Sequence, residues 1–209
     1  MSVGRNKALF LDRDGVINVD SGHVHSREAF EFKQGIFELC SAAQGLGYLI
    51  IVVTNQAGIA RGYYSESDFL KLTNWMIAQF KENKVHITRL YYCPYHPVLG
   101  VGKYKYDSSD RKPNPGMLLR AESDWNLDMV SSILIGDKLS DIQAGSAAGV
   151  RTQILLSSER TQCEPQEPFC HVFHSLDDIR RRFFSGENGF IQKPSLEEWA
   201  GTPTTGGGE

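Results

Sequence analysis

Apolar stretches of strand length recur along this chain between segments with helical spacing, and this alternation limits its possible architectures more than any other feature. The stretches run from Ala8 to Leu11, Tyr48 to Val53, Leu90 to Tyr92, Ser132 to Ile135 and Thr152 to Leu156. Strands that alternate with helices form a parallel sheet wrapped on both faces. The predicted class is therefore α/β, a three-layer Rossmann-like parallel sheet with helices on both sides.

The intervening segments support this. Ser65-Glu66-Ser67-Asp68 has the form of a capping box and precedes Phe69, Leu72, Met76 and Phe80 at helical spacing. Pro115 and Gly116 open a second predicted helix that runs to about Asp124, and Leu139 to Ala148 supplies a third, rich in small residues. No insertion between Asp14 and Thr54, or before Lys112, is large enough for a lid domain. With 209 residues, one domain over 1–184 is expected. A flexible tail rich in Gly, Pro and Thr is expected over 185–209.

Charge and composition exclude several functions. The 22 Lys and Arg balance 25 Asp and Glu for a net charge of -3, without the basic surface of a non-specific nucleic-acid binder. No apolar run approaches the ~20 residues that span a bilayer, and Met1 to Lys7 lacks a secretory apolar region. Cys40, Cys93, Cys163 and Cys170 are widely spaced and form no CxxC pair, so neither a disulfide framework nor a zinc ribbon is expected. A cytoplasmic chain is expected, with no nucleic-acid or membrane partner, acting as a monomer.

The chemistry concentrates after the first strand, in Leu9-Phe10-Leu11-Asp12-Arg13-Asp14-Gly15. Ligands of open α/β sheets bind beyond the carboxyl ends of the strands, which is where Asp12 and Asp14 fall. An aspartate can attack phosphorus to form an acyl phosphate, and a second acid then manages the protons. Alone, the same residues read equally well as a polar turn closing a strand.

Three later segments place compatible groups at successive strand ends. Thr54, Asn55 and Gln56 follow the second strand, with a hydroxyl and amides suited to phosphate oxygens. Arg111 and Lys112 precede a proline-marked helix start and can offset charge on a transferring phosphoryl group. Asp137, in Gly136-Asp137-Lys138-Leu139-Ser140-Asp141, can complete a hard-oxygen Mg²⁺ site with Asp12 and Asp14. Each motif taken singly has an ordinary structural explanation; their combination points to a phosphotransfer site.

These residues, Asp12 to Gly15, Thr54, Lys112 and Gly136 to Asp141, resemble the haloacid dehalogenase superfamily over roughly Lys7 to Leu156. The resemblance implies that Asp12 is the nucleophile and Asp14 the general acid/base, also binding Mg²⁺ through its backbone. Thr54 and Lys112 would stabilise the phosphoryl group, and Asp137 would be the remaining metal ligand. The longer matches, DRDGVINVDSGHVH, VVTNQAGIARGYY, YYCPYHP, RKPNPGMLL and IGDKLSDIQA, are similar to the branch of bacterial heptose bisphosphate 7-phosphatases, with histidinol phosphatases nearby. That similarity implies a small phosphorylated sugar as substrate, a route to activated heptose for surface polysaccharide, and no large cap domain. It also implies substrate contacts from Asp20, Ser21, Gly22, His23, Asn55, Gln56, Arg111 and Lys138.

The chain departs from that branch in one place. Many relatives carry a zinc cluster of C-x-H and C-x-C in the loop before RKP. Here Cys93 remains, Tyr95 stands in the histidine position, His96 is displaced by one residue, and Ser108, Ser109 and Asp110 replace the cysteine pair. A tetrahedral zinc site needs four good donors, so zinc is not expected. The loop would instead be ordered by Pro94, Pro97 and aromatic packing. Histidinol-phosphate phosphatase remains the nearest rival function. A nucleic-acid end phosphatase would need a basic channel. A catalytically silent sugar-phosphate sensor would need no paired acids.

Overall fold

The computed structural model describes residues 4–157 and 170–185. Its centre is a six-stranded sheet in the order β3-β2-β1-β4-β5-β6, every neighbouring pair parallel. The strands are β1 (Lys7–Leu11), β2 (Tyr48–Asn55), β3 (Ile87–Cys93), β4 (Ile133–Gly136), β5 (Thr152–Leu156) and β6 (Cys170–Phe173). Helices α1 (Ile36–Gly45), α2 (Ala57–Ala60), α3 (Glu66–Glu82), α4 (Gly116–Trp125), α5 (Leu139–Ala147) and α6 (Leu176–Phe184) connect and cover them. The three-layer α/β expectation holds.

The pleat explains the two cores. Consecutive residues of a strand face opposite sides, and a sheet covered on both sides needs apolar residues at every position. Leu9 and Leu11 of β1 pack with Ile50, Val52, Ile133 and Ile135 against α1, α3 and α6. Ala8 and Phe10 pack with Ile51, Val53 and Leu134 against α4 and α5. Ser65 caps α3 as its sequence predicts, accepting from the Asp68 N–H at 3.1 Å while the Asp68 carboxylate accepts from the Ser65 N–H at 3.2 Å. No described helix is long and apolar enough to cross a membrane.

Several sequence expectations need correction at their edges. β2 continues through Thr54 and Asn55, and β3 through Cys93, so residues read as lying beyond the strands are still paired in the ladder. The edge strand β6 and helix α6 were not foreseen. β6 is four residues long with only partly buried or exposed side chains, and so lacks a continuous apolar run. α6 signals itself through Ser175, whose hydroxyl accepts from the Asp178 N–H at 3.1 Å, and buries Leu176, Ile179 and Phe184. Cys170 starts β6 and is disulfide-bonded, whereas Cys40 and Cys93 are free. Cys163 lies outside the described residues, as does the expected tail apart from Ser185.

β1 and β4 are adjacent at the centre of the sheet, where the strand order reverses, so their carboxyl ends face one crevice. Between β1 and α1, and again between β3 and α4, the chain forms loops without a domain of its own, so the described residues form no large cap over the crevice.

Candidate active site

Asp12 follows the last residue of β1, and its N–H donates to the Ile135 carbonyl of β4 at 3.0 Å. Asp137 follows the last residue of β4, so the two acids leave adjacent strands side by side. Gly15 and Gly136 permit this closeness. Gly15 adopts φ +89°, and a Cβ there would collide with the Asp137 carboxylate; a Cβ on Gly136 would collide with Asp141. Asp12, Asp137 and Asp141 each offer an oxygen within 4.8 Å of the others, the one such grouping of metal-ligand side chains among the described residues.

Lys112 reaches into this cluster. Its buried Nζ lies 2.8 Å from Asp12 Oδ1 and 2.6 Å from Asp141 Oδ1, and it donates to the Val53 carbonyl at 2.8 Å. Burial disfavours the ammonium, but Asp12 and Asp141 more than offset this and hold Lys112 above its ordinary pKa. Burial pushes Asp12 up, Lys112 pulls it down, and the neighbouring Asp141 pushes it up again. Asp137 is pushed up to about 7, first by burial and then by the charge of Asp12.

This arrangement suits a hard divalent cation. Both Asp141 oxygens are engaged, one by Lys112 and the other by the Lys138 N–H at 3.0 Å. Asp137 Oδ1, by contrast, is buried without a hydrogen-bond partner. An orphaned carboxylate oxygen beside a second carboxylate is a poor arrangement for protein alone and a good one for Mg²⁺. Asp141 closes the Gly136–Asp141 motif without a sequence signal for its role; its spacing from Asp137 places it on the first turn of α5, turned back toward β4.

Asp14 stands apart from this cluster. Its carboxylate accepts from Arg13 Nη2 at 2.6 and 2.7 Å, from Asn18 Nδ2 at 3.1 Å and from Gln56 Nε2 at 3.2 Å. Gln56 also donates to Thr54 Oγ1 at 2.9 Å and accepts from the Tyr64 hydroxyl at 2.7 Å. Buried Gln56 thus spaces Thr54 from Asp14. Asn55 pairs with both backbone groups of Lys112, donating to its carbonyl at 3.0 Å and accepting from its N–H at 3.1 Å. Asn55 therefore sets the point from which the Lys112 side chain enters the cluster. Arg13, Asn18 and Tyr64 carried no sequence expectation, since a buried arginine between two acids has no periodic signal.

The expected substrate loop lies at the rim. Asp20 Oδ2 lies 3.1 Å from Lys138 Nζ, and its other oxygen accepts from the Gly22 N–H at 3.0 Å. Partial burial works against the Asp20 charge, but Gly22 and Lys138 hold its pKa below the ordinary value. Ser21 and Gly22 are exposed, and His23, at φ +52°, sets its ring edge-on to Tyr63. Arg111 donates to the Tyr95 carbonyl at 3.3 Å.

The departing loop is ordered by protein contacts. Glu66 accepts from the Tyr92 and Tyr104 hydroxyls at 2.8 and 2.6 Å, and Tyr95 packs against Tyr104 and Tyr106. His96 Nδ1 accepts from the Val98 and Leu99 N–H groups, and Asp110 pairs with Arg120.

The Gly15 contact carries a direct test. Gly15→Ala is expected to displace the Asp137 carboxylate and weaken Mg²⁺ binding and turnover together by about 10–100-fold. A Mg²⁺ titration of the variant with half-saturation unchanged would show that Gly15 does not shape the cation site.

Comparisons with known proteins agree with this geometry. A family model described as HAD-hydrolase-like matches residues 109–180. A D-glycero-alpha-D-manno-heptose-1,7-bisphosphate 7-phosphatase of Burkholderia mallei is 59% identical over 152 residues, covering 73% of this chain and 80% of the relative. A beta-anomer counterpart from Vibrio cholerae is 49% identical, covering 83% of this chain and 92% of its own. Among solved structures, a D,D-heptose 1,7-bisphosphate phosphatase from B. bronchiseptica, complexed with magnesium and phosphate, shares the fold at TM-score 0.73 and 23% identity. It covers 84% of this chain and 97% of that one. The chain belongs to the heptose-1,7-bisphosphate 7-phosphatase family of HAD-like hydrolases.

Proposed function

We propose that this chain removes the 7-phosphate of D-glycero-D-manno-heptose 1,7-bisphosphate through an aspartyl-phosphate on Asp12. The observation that carries the reading is Lys112 Nζ, buried 2.8 Å from Asp12 Oδ1 beside Asp137. A nucleophile, a fixed cation and a hard-oxygen pair converge at the ends of two adjacent strands, and the relatives named above supply the substrate class.

The Asp12 carboxylate attacks phosphorus, and the bond from phosphorus to the sugar oxygen breaks. The Asp14 carboxyl gives that oxygen its proton, so the sugar leaves as an alcohol. Asp14 then takes a proton from water as the water oxygen attacks the phosphorus of the acyl phosphate. Phosphate departs and the Asp12 carboxylate is restored. Lys112 and the Thr54 hydroxyl offset charge on the equatorial oxygens. Asp12, Asp137 and the Asp14 backbone carbonyl would hold Mg²⁺, which, when bound, neutralises and orients the phosphate oxygens. Asp20, Ser21, Gly22, His23, Arg111 and Lys138 are the proposed contacts for the rest of the sugar, supported by the ion pair from Lys138 to Asp20 and Asp137.

The test is Mg²⁺-dependent phosphate release from both anomers of the bisphosphate and from histidinol phosphate. Preference for a heptose anomer by about tenfold or more in kcat/KM supports the reading. Preference for histidinol phosphate would retain the chemistry and overturn the substrate.

A further inference from the structure

Arg13 stands between the two acids of the site, yet the chemistry above gives it no task. It is 1% exposed, among the largest fully buried side chains of the described chain. A buried guanidinium costs several kcal/mol to desolvate and persists where its hydrogen bonds repay that. A turn alone would be served by a smaller residue.

Its hydrogen bonds run in two directions. Toward Asp14, Nη2 donates to both carboxylate oxygens at 2.6 and 2.7 Å, and Nε donates to Oδ1 at 3.1 Å. Toward the buried Val24, the same Nη2 donates to the backbone carbonyl at 2.8 Å, while Nη1 is buried without a hydrogen-bond partner. The ring of Phe69, from α3, lies 5.7 Å from the guanidinium carbon and limits its freedom on that side. Asp14 is only two residues from Asp12, yet it does not join the grouping of Asp12, Asp137 and Asp141. A short, unrestrained carboxylate at this position could turn toward a bound cation and become one more ligand.

We propose that Arg13 is a positioning residue, whose guanidinium keeps the Asp14 carboxylate apart from the cation-binding acids and aims it at the leaving oxygen, in a setting shared with the loop that carries Val24. The proposal rests on the reading of Asp14 as the proton donor. Asn18 and Gln56 complete the clamp, and Gln56 is itself held by the Tyr64 hydroxyl. Planar bidentate pairing fixes direction as well as distance, which a lysine ammonium does not.

The test compares two phosphate monoesters on the full chain. The sugar bisphosphate needs a proton on its leaving oxygen; dinitrophenyl phosphate does not. In kcat/KM, which reports formation of the acyl phosphate and not its hydrolysis, Asp14→Asn is the reference and should lose about 10²–10⁴-fold more on the sugar ester than on the aryl ester. Arg13→Lys is expected to lose about 10²-fold in kcat/KM on the sugar ester, with less than about threefold change in kcat/KM on the aryl ester and in Mg²⁺ half-saturation. Tyr64→Phe, which removes only one hydroxyl, should move the ratio of the two rates in the same direction by a few-fold. Equal losses on both esters in Arg13→Lys, with Asp14→Asn still discriminating, would overturn the role of Arg13. Absence of discrimination in Asp14→Asn would overturn the proton-donor reading instead. Should Arg13→Lys not fold, Tyr64→Phe decides: a shifted ratio supports the clamp and an unshifted one overturns it.

Discussion

Asp12→Asn is expected to lower phosphate release by on the order of 10⁴-fold or more, with a thermal midpoint at or above that of the unaltered chain. The two halves of this expectation come from the same geometry. Asp12 lies 2.8 Å from Lys112 at the carboxyl end of β1, and an amide oxygen in its place is too weak a nucleophile to form the acyl phosphate. The same carboxylate is buried beside Asp137 and Asp141, a concentration of negative charge that burial and mutual repulsion both disfavour. Asparagine keeps the shape and an oxygen for Lys112, which retains Asp141 as its ionic partner at 2.6 Å. Activity and stability should therefore part company, as they do where a site stores unfavourable charge for chemistry. Phosphate release under saturating Mg²⁺ and a thermal melt in the absence of metal decide the matter. Substantial residual turnover would remove Asp12 as nucleophile. A collapse of the midpoint would mean that the lost activity reports lost folding.

The sequence made the sheet and the nucleophile legible for the same reason. A central parallel strand is apolar on both faces, so Ala8 to Leu11 forms an unbroken run, and the polar residues that follow stand out at the strand end. The same holds for β4 and Asp137. β6 carried no such signal, being a short edge strand with its side chains only partly covered. What stayed hidden in the site was its supporting layer. Asn55 and Gln56 stood out as groups able to meet a phosphate, but the pairing of Asn55 with the Lys112 backbone arises only when β2 is set beside the loop before α4, and that of Gln56 with Asp14 only when it is set beside the loop after β1. The ion pair from Lys112 to Asp141 joins α5 to that same loop, and no local pattern encodes a pairing between elements so far apart in sequence. Arg13 was visible as a letter in DRDG, but only its burial reveals that it is more than a turn residue.

Lys112→Met is expected to abolish turnover and to cost about 3–5 kcal/mol of stability, because it leaves two buried carboxylates without their shared cation. Methionine is similar in length and apolar, so the loss isolates the charge and its three contacts, to Asp12, Asp141 and the Val53 carbonyl. A loss of that size is a large fraction of the ~5–15 kcal/mol that holds a domain folded. Two further measurements test whether charge compensation is the cause. Mg²⁺ should raise the thermal midpoint more in Lys112→Met than in the unaltered chain, since a bound cation supplies positive charge to the same cluster and binds only the folded state. Adding Asp141→Asn should recover part of the stability without restoring activity, because one of the uncompensated charges is then gone while the Lys138 N–H keeps an acceptor. Chemical and thermal denaturation of the three proteins, with and without Mg²⁺, and their phosphate release read all of this. A Lys112→Met chain within about 1 kcal/mol of the original, or one whose midpoint gains no more from Mg²⁺ than the original does, would show that Lys112 serves the reaction without holding the site together.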